Sequence, residues 1–157
     1  MSIEDFSTES IDRHLNFDKM ILSIDTAEHN FDLVSILKKF EERETTRTGS
    51  IIIHRGKVKS PGKKIADLSH IMLEKKLAGS IHEELSEIGR RAGRNYKVNQ
   101  VYINHRLGRA QPGEDILLVI VSAPDRGNAF AATQWIVDEI KKEKIITLTE
   151  IKGKVSL

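Results

Sequence analysis

The feature that most constrains the fold of this chain is an uninterrupted apolar run, Ile116–Val121, within the segment Asp115–Ser122. A Pro-Gly turn precedes the segment and a loop, Pro124–Asn128, follows it. A run of this length is short for a buried helix and typical of a strand that is buried on both faces. The pattern therefore predicts a central strand, against which the other elements pack.

The segments after this strand predict one helix and one further strand. Asp125 is a candidate N-cap for a helix over Arg126–Lys142, because an Asp side chain accepts hydrogen bonds from the first free N–H groups of a helix. Lysines 141, 142 and 144 cluster at the other end, where the helix dipole favours cations. A last strand is predicted at Ile145–Ile151.

The region upstream of the central strand predicts a mixture of elements. Strands are predicted at Met20–Ile24, Ser50–His54, Ile65–Met72 and Val98–His105, and helices at Phe31–Arg43, with Asn30 as its cap, and at Leu73–Ala92. Strands and helices do not alternate regularly, as they do in βαβ units. The order therefore predicts an α+β fold, mainly an antiparallel sheet with flanking helices.

Length and composition indicate one globular domain. The 157 residues suffice for a single core, expected over residues 19–157, with residues 1–18 as a polar N-terminal extension. No apolar run approaches the roughly 18 residues that span a bilayer, and the acidic start lacks a signal peptide's features. A cytoplasmic location is therefore expected. Because cysteine is absent, any sulfur chemistry would need sulfur carried by a partner or substrate.

The net charge of +2 conceals an uneven distribution. Residues 1–45 hold eleven acidic and five basic residues, whereas residues 46–157 hold twelve acidic and twenty basic ones. The basic part includes the loop Arg55–Lys64 and a cluster over Arg90–Lys97. Such charge suits an anionic ligand, and a solvated surface is an equally open interpretation. Nucleic acid is a disfavoured alternative, because aromatic side chains for base stacking are scarce.

Few sequence patterns point to a catalytic, metal-binding or anion-binding site. No histidine pair has the spacing of a zinc site, so no metal is predicted. Arg126 lies at a predicted helix start, where backbone N–H groups also favour anions. Lys141 and Lys142 are candidate cationic clamps, or a base or nucleophile if desolvated. His105 and Arg106, at a strand end, are expected to have a structural hydrogen-bonding role.

Several short motifs follow one another in a characteristic order. They are His105–Gly108, Pro112–Ile116, Ser122–Arg126, Ala129-Phe130, Trp135–Asp138 and Ile140-Lys141, with Gly49–Ile52 and Gly56–Lys59 upstream. No single motif is decisive, but together their order and spacing resemble one known family, the large catalytic subunit of molybdopterin synthase. The resemblance covers about Ile103–Glu150 without a gap and Met20–Ile103 more loosely.

The resemblance implies a fold, partners and a reaction. The fold is α/β hammerhead-like, and two large subunits form a homodimer within a heterotetramer. Each large subunit binds a small ubiquitin-like sulfur carrier, whose C-terminal Gly-Gly thiocarboxylate enters a basic pocket. Sulfur passes from it to cyclic pyranopterin monophosphate, giving molybdopterin in molybdenum cofactor biosynthesis. No cofactor is expected.

The resemblance also implies site residues. Lys141 matches a catalytic lysine and Arg126 a substrate-binding arginine, while Lys59 stands where the family usually has arginine. Lys57 and His54, the latter replacing a usual phenylalanine, complete the predicted substrate-binding set. Two positions depart from the family: Asp125 stands at a histidine position and Leu148 at that of a second lysine. The alternative prediction is therefore a family member with impaired catalysis that binds a carrier or an anion.

Overall fold

The computed structural model of the chain describes residues 20–76, 79–142 and 144–153. The predicted extension, residues 1–18, lies outside this range. The described part holds strands and helices in the order β1 (Ile21–Ala27), α1 (Leu33–Glu42), β2 (Ser50–Lys57), β3 (Leu68–Lys75), α2 (Ile81–Asn95), β4 (Gln100–Arg106), β5 (Gly108–Ala110), β6 (Asp115–Ala123), α3 (Arg126–Lys141) and β7 (Ile146–Lys152). No helix in these ranges is both long and apolar enough to cross a membrane.

The strands form two sheets. The larger sheet has the order β1-β4-β6-β2, and the smaller has the order β5-β3-β7. Among the described strands only β1 and β4 pair in parallel; every other pairing is antiparallel. The predicted α+β class with a mainly antiparallel sheet is therefore confirmed. β2 lies at an edge of the larger sheet.

The central strand β6 divides the core into two parts. Alternate side chains of a strand point to opposite faces, so Val119 and Val121 pack with Ile136 and Ile140 of α3. Leu118 and Ile120 pack on the other face with Phe31, Phe40 and Tyr102, beside α1. All four β6 side chains are fully buried. The apolar run at 116–121 is thus explained by a strand covered on both faces.

The beginning of α3 follows the prediction. Asp125 is the N-cap, and its carboxylate accepts a hydrogen bond from the backbone N–H of Asn128 at 2.9 Å. The helix ends at Lys141, one residue earlier than predicted. Capping by Asp is the feature that made this boundary readable from sequence.

The predicted helix over Leu73–Ala92 was wrong in its first part. Leu73 lies in β3, where Ile71 and Leu73 alternate as buried residues, and α2 begins only at Ile81 after the N-cap Ser80. Leu73 and Ile81 are spaced like two residues on one face of a helix. Leu73, however, belongs to a strand, and Ile81 belongs to the helix that follows it. Ile81, Leu85 and Ile88 remain on the apolar side of α2, as predicted.

Asn30 does not cap α1. Asp32 does so by accepting from the backbone N–H of Ser35 at 3.2 Å. The side-chain oxygen of Asn30 instead accepts from the backbone N–H of Asp115 at 2.9 Å and from Arg106 at 3.1 Å. The local pattern predicted Asn30 as the helix cap, but its side chain makes tertiary hydrogen bonds instead.

Candidate anion-binding site

The candidate site lies where α3 ends against the edge strand β2. β2 pairs with β6 so that His54 stands opposite Val119. Cross-strand partners share a face, so His54 lies on the face that α3 covers, and α3 packs directly on β2. Lys141, the last residue of α3, is exposed. The structure therefore brings together two predicted site residues that are 87 positions apart in the chain.

The charge of Lys141 acts on His54. Burial lowers the pKa of His54 below its ordinary value of 6.5, and the positive charge of Lys141 lowers it further. The imidazole is consequently neutral at pH 7. A neutral imidazole can accept a proton from, or share one with, a neighbouring group. The pair therefore combines a cation with a proton acceptor.

Lys59 and Lys57 follow along the same chain segment but differ in surroundings. Lys59 is exposed, two residues beyond β2. Lys57 is the last residue of β2 and stands beside Asp115, whose pKa its charge helps to lower. Lys59 therefore lies on the exposed basic loop, whereas the charge of Lys57 partly stabilises the buried carboxylate of Asp115.

Arg126 lies at the other end of α3. It lines an open cleft with Gly49, Ser50 and residues 124–127. Gly49 allows this close approach, because a Cβ at that position would collide with the carbonyl oxygen of Pro124. The Arg126 side of the site is therefore built from the start of β2 and the start of α3.

The carboxylate of Asp125 caps the N-terminal end of α3. Besides the backbone N–H of Asn128, it accepts from the Asn128 side-chain amide at 2.9 Å. These two hydrogen bonds hold its pKa below the usual range. The carboxylate is thus charged and opposes an anion at Arg126, while it occupies N–H groups that could otherwise bind one.

Arg126 and Lys141 cannot share a ligand within one chain. They are the first and last residues of α3, and at 1.5 Å per residue their backbones lie about 22 Å apart. A helix turns by 100° per residue, so both residues nevertheless lie near the same side of α3. Phe130 lies on this side between them and is 59% exposed. One side of α3 thus has a basic group at each end and an apolar group between.

The position at which the resemblance places a second lysine is apolar. Leu148 lies on β7 opposite Leu73 and is 37% exposed. Lys144 is the next lysine in the chain after Lys142. Its charge acts on Glu139, which also binds Lys142 at 2.6 Å and lies 3.8 Å from Arg91 of α2. Lys144 therefore belongs to the α2 side of α3.

The second basic cluster is partly neutralised. Arg90 and Arg94 both donate to Glu87, at 3.1 and 2.8 Å, and Arg91 stacks 5.1 Å from the ring centroid of Trp135. These contacts give the cluster a structural role on the surface of α2. They provide no stack of exposed aromatic rings of the kind that binds single-stranded nucleic acid.

Sequence reasoning missed a buried polar network at the start of β6. Asp115, which is 1% exposed, accepts two hydrogen bonds from Arg55, at 2.7 and 2.9 Å, and one from the backbone N–H of Phe31. Burial alone would raise the pKa of Asp115, but these donors hold it below its ordinary value. The only signal in the sequence was an acid at the start of an apolar strand.

Arg106 forms the second part of this network and confirms the predicted structural role. It is 4% exposed and binds Glu114 at 2.7 Å and the carbonyl oxygen of Arg109 at 3.0 Å. His105 is also buried, and its Nδ1 lies 2.7 Å from the carbonyl oxygen of Arg106. Within the described ranges, no group of three acidic or histidine side chains is placed to hold a metal ion.

The two sheets, the three helices of the described residues and the basic groups at both ends of α3 define the class: an α+β protein with a candidate site for anions. The family described as MoaE protein matches residues 26–143. The molybdopterin synthase catalytic subunit of Pyrococcus abyssi is 32% identical over 129 residues, which are 75% of this chain and 84% of that protein. That of Haemophilus influenzae is 30% identical over 123 residues, 78% and 79% of the two chains. This chain therefore belongs to the MoaE protein family.

Solved structures agree. The molybdopterin biosynthesis MoaE protein from Burkholderia ambifaria superposes with a TM-score of 0.69 at 26% identity, covering 83% of this chain and 86% of that one. A chain of the Helicobacter pylori complex of subunits 1 and 2 of molybdopterin-converting factor gives 0.62 at 16% identity, with coverage of 83% and 85%. The latter supports the fold alone. The predicted family and the predicted fold class are both confirmed.

Proposed function

We propose that this chain is an enzyme of molybdenum cofactor biosynthesis, the catalytic subunit of a molybdopterin synthase. It moves sulfur from the thiocarboxylate of a small carrier protein to cyclic pyranopterin monophosphate. The proposal rests on family membership together with one structural observation. Lys141, the predicted catalytic residue, lies at an exposed helix end beside the neutral imidazole of His54.

The chemistry explains why a cation is needed there. In each transfer the thiocarboxylate sulfur bonds to a side-chain carbon of the pterin, and the C–O bond at that carbon breaks, so that its oxygen stays on the phosphate or leaves as water. Water then attacks the acyl carbon of the carrier and the acyl C–S bond breaks, so that the carrier leaves as a carboxylate and the sulfur stays on the pterin. Attack of water on the carbonyl places negative charge on its oxygen. A fixed cation such as Lys141 stabilises that charge more in the transition state than in the ground state. His54 is available to accept the proton that water loses.

The separation of Arg126 from Lys141 supports a site shared between two copies of the chain. The phosphate of one substrate cannot reach both ends of α3, about 22 Å apart. A second copy, related by a two-fold axis and antiparallel along α3, would bring its own Arg126 next to Lys141 of the first. Each homodimer would then contain two equivalent sites.

The edge strand β2 supports the same arrangement. Among the strands of the described residues, none pairs with its outer edge, and Ile53 is 40% exposed. Long apolar edges of this kind tend to pair with another chain. β2 runs alongside α3, so antiparallel pairing of two β2 strands would also set the two α3 helices antiparallel.

The partner is proposed to be a small ubiquitin-like carrier with a C-terminal Gly-Gly, two of which complete a heterotetramer with the homodimer. The Helicobacter pylori neighbour is itself a two-subunit complex, and a comparable small-subunit partner is proposed for this chain. Lys59 and Arg126 of the two copies are assigned to the substrate phosphate, with Lys57 and His54 as further substrate-binding groups. A cytoplasmic location follows from this role.

Reconstitution tests the proposal. The purified chain is mixed with a thiocarboxylated carrier and cyclic pyranopterin monophosphate, and the dithiolene product is detected by fluorescence after oxidation. Product formation at a rate above the carrier alone is expected. Tight carrier binding without product would instead favour the alternative, a binding protein with impaired catalysis, which the apolar Leu148 and the acidic Asp125 would then explain.

A further inference from the structure

Glu150 of β7 makes an unusual contact with the basic loop. Its carboxylate accepts three hydrogen bonds from successive backbone N–H groups: Lys63 at 2.6 Å, Lys64 at 2.8 Å and Ile65 at 2.8 Å. Burial alone would raise the pKa of Glu150, but these donors hold it below the ordinary value. Successive N–H groups that converge in this way form a concave anion site, and here the protein fills it with its own side chain.

The loop is shaped to receive this carboxylate. The backbone N–H of Gly62 donates to the carbonyl oxygen of Ile65 at 3.0 Å, which closes a tight turn. A Cβ at Gly62 would collide with that carbonyl oxygen and would lie 2.9 Å from Oε1 of Glu150. Only glycine at this position therefore lets the turn and the carboxylate meet without displacement.

Lys59 lies between two fixed points of this segment. On one side Val58 is buried, its N–H donates to the carbonyl oxygen of Glu114 at 2.9 Å, and its carbonyl accepts from Gly113 at 2.7 Å. On the other side, the turn beginning at Gly62 is held by Glu150. Only residues 59–61 connect the two anchors, so the backbone of Lys59 has little freedom.

From this geometry we infer that Glu150 is a positioning residue for the anionic substrate: it fixes the basic loop so that Lys59 is held in place to bind the substrate phosphate. The inference deepens the proposed function and rests on it. Glu150 touches neither the substrate nor the reacting atoms, and it acts through the backbone of residues 63–65. Correct placement of a substrate-positioning group matters steeply, because misplacement by about 1 Å can cost two orders of magnitude in rate.

Simple electrostatics makes the opposite prediction, which allows a sharp test. Glu150 places a negative charge beside Lys63 and Lys64. If its charge mattered only through space, Glu150→Gln would strengthen phosphate binding, because a repelling carboxylate is removed. If Glu150 positions the loop, the same variant weakens binding, because an amide offers only one acceptor oxygen to three N–H groups.

Two variants that differ in charge are compared. Glu150→Gln removes the charge and part of the clamp, whereas Gly62→Ala keeps the charge and displaces the turn. Both are expected to raise the KM for cyclic pyranopterin monophosphate about tenfold, with kcat and the KM for the carrier unchanged within about twofold. Glu74→Gln, which removes an exposed carboxylate from the neighbouring strand β3, is the matched control and should resemble the wild type.

The outcomes separate the two levels of inference. A lowered or unchanged KM in Glu150→Gln, or a raised KM in only one of the two variants, would overturn the positioning role while wild-type turnover still supported the proposed function. If either variant fails to fold by circular dichroism, the KM of the other decides. Absence of turnover in the wild type would remove the proposed function, and this inference with it.

Discussion

Arg126 and Lys141 lie near the same side of α3 but at its opposite ends, about 22 Å apart. Each is the best anion-binding candidate at its own end: Arg126 in the cleft beside Gly49, and Lys141 beside His54. One small phosphate ester cannot bridge them. The proposed shared site, completed by a second copy of the chain, would account for this separation.

Mixing two inactive variants should restore activity. In a heterodimer of Arg126→Ala with Lys141→Ala, one shared site has lost both groups and the other retains both. Random mixing should therefore give about one quarter of wild-type turnover, measured as dithiolene product per chain. Either variant alone should be nearly inactive. If both groups served one site within a single chain, no heterodimer would have an intact site, and the mixture would stay as inactive as its components.

Removing the charge of Asp125 should strengthen substrate binding. Asn caps a helix about as well as Asp does, so Asp125→Asn keeps the N-cap while it removes a negative charge beside Arg126. The KM for cyclic pyranopterin monophosphate should fall several-fold, and the melting temperature should change little. Asp32→Asn, which alters the cap of α1 in the same way, serves as the control. An unchanged KM in Asp125→Asn would show that the phosphate does not bind near Arg126.

The stability of the fold should depend on the protonation of His54. Its folded pKa is below the unfolded value of 6.5 through burial and the charge of Lys141, so the unfolded chain binds more protons in acid. The free energy of unfolding should therefore decrease as the pH falls through 6.5 towards the folded pKa. His105, whose pKa burial also lowers, adds to this decrease. His54→Phe should show a smaller decrease between pH 7 and 5 in urea unfolding.

Lys141 should also be visible in the titration of His54. Lys141→Gln removes the nearby positive charge, so the pKa of His54, followed by NMR of its ring protons, should rise towards 6.5 without reaching it, because burial remains. The pKa should not change in Lys142→Gln, since Lys142 is paired with Glu139. Equal pKa values in all three proteins would contradict the proximity of His54 and Lys141.

The buried side chain of Arg106 should be essential for the stability of the fold. Arg106→Met leaves Glu114, which is part-exposed, and the carbonyl oxygen of Arg109 without their donor, and this loss should lower the free energy of unfolding by about 1–3 kcal/mol. Urea denaturation measures this. Arg109→Met, which changes an exposed side chain on β5, should change the free energy of unfolding by less than about 0.5 kcal/mol.

Local patterns predicted those parts of the fold that depend on local physics. The apolar run at 116–121 marked β6, and Asp125 marked the start of α3, because burial on both faces and N-capping each leave a direct trace in sequence. The roles of Lys141 and Arg126 came instead from the family resemblance of the motifs around them, and they stay predictions. The boundary at Leu73 failed because a buried strand residue stood at helical spacing from Ile81.

The remaining features depend on contacts between distant residues. Nothing near Glu150 in sequence signals that it binds the backbone at 63–65, and nothing near Asp115 signals its pairing with Arg55, 60 positions away. The proximity of His54 to Lys141 likewise follows from the register of β2 on β6 and the packing of α3. Single-sequence patterns contain periodicity and capping, but not the register that brings such residues together.

The central claim, that Lys141 drives sulfur transfer, is tested most directly by single-turnover kinetics with thiocarboxylated carrier and cyclic pyranopterin monophosphate. Lys141→Ala should lower the rate of dithiolene formation at least about a hundredfold, whereas Lys142→Ala, which loses only an exposed ion pair with Glu139, should retain nearly the wild-type rate. Equal rates for Lys141→Ala and the wild type would contradict the account.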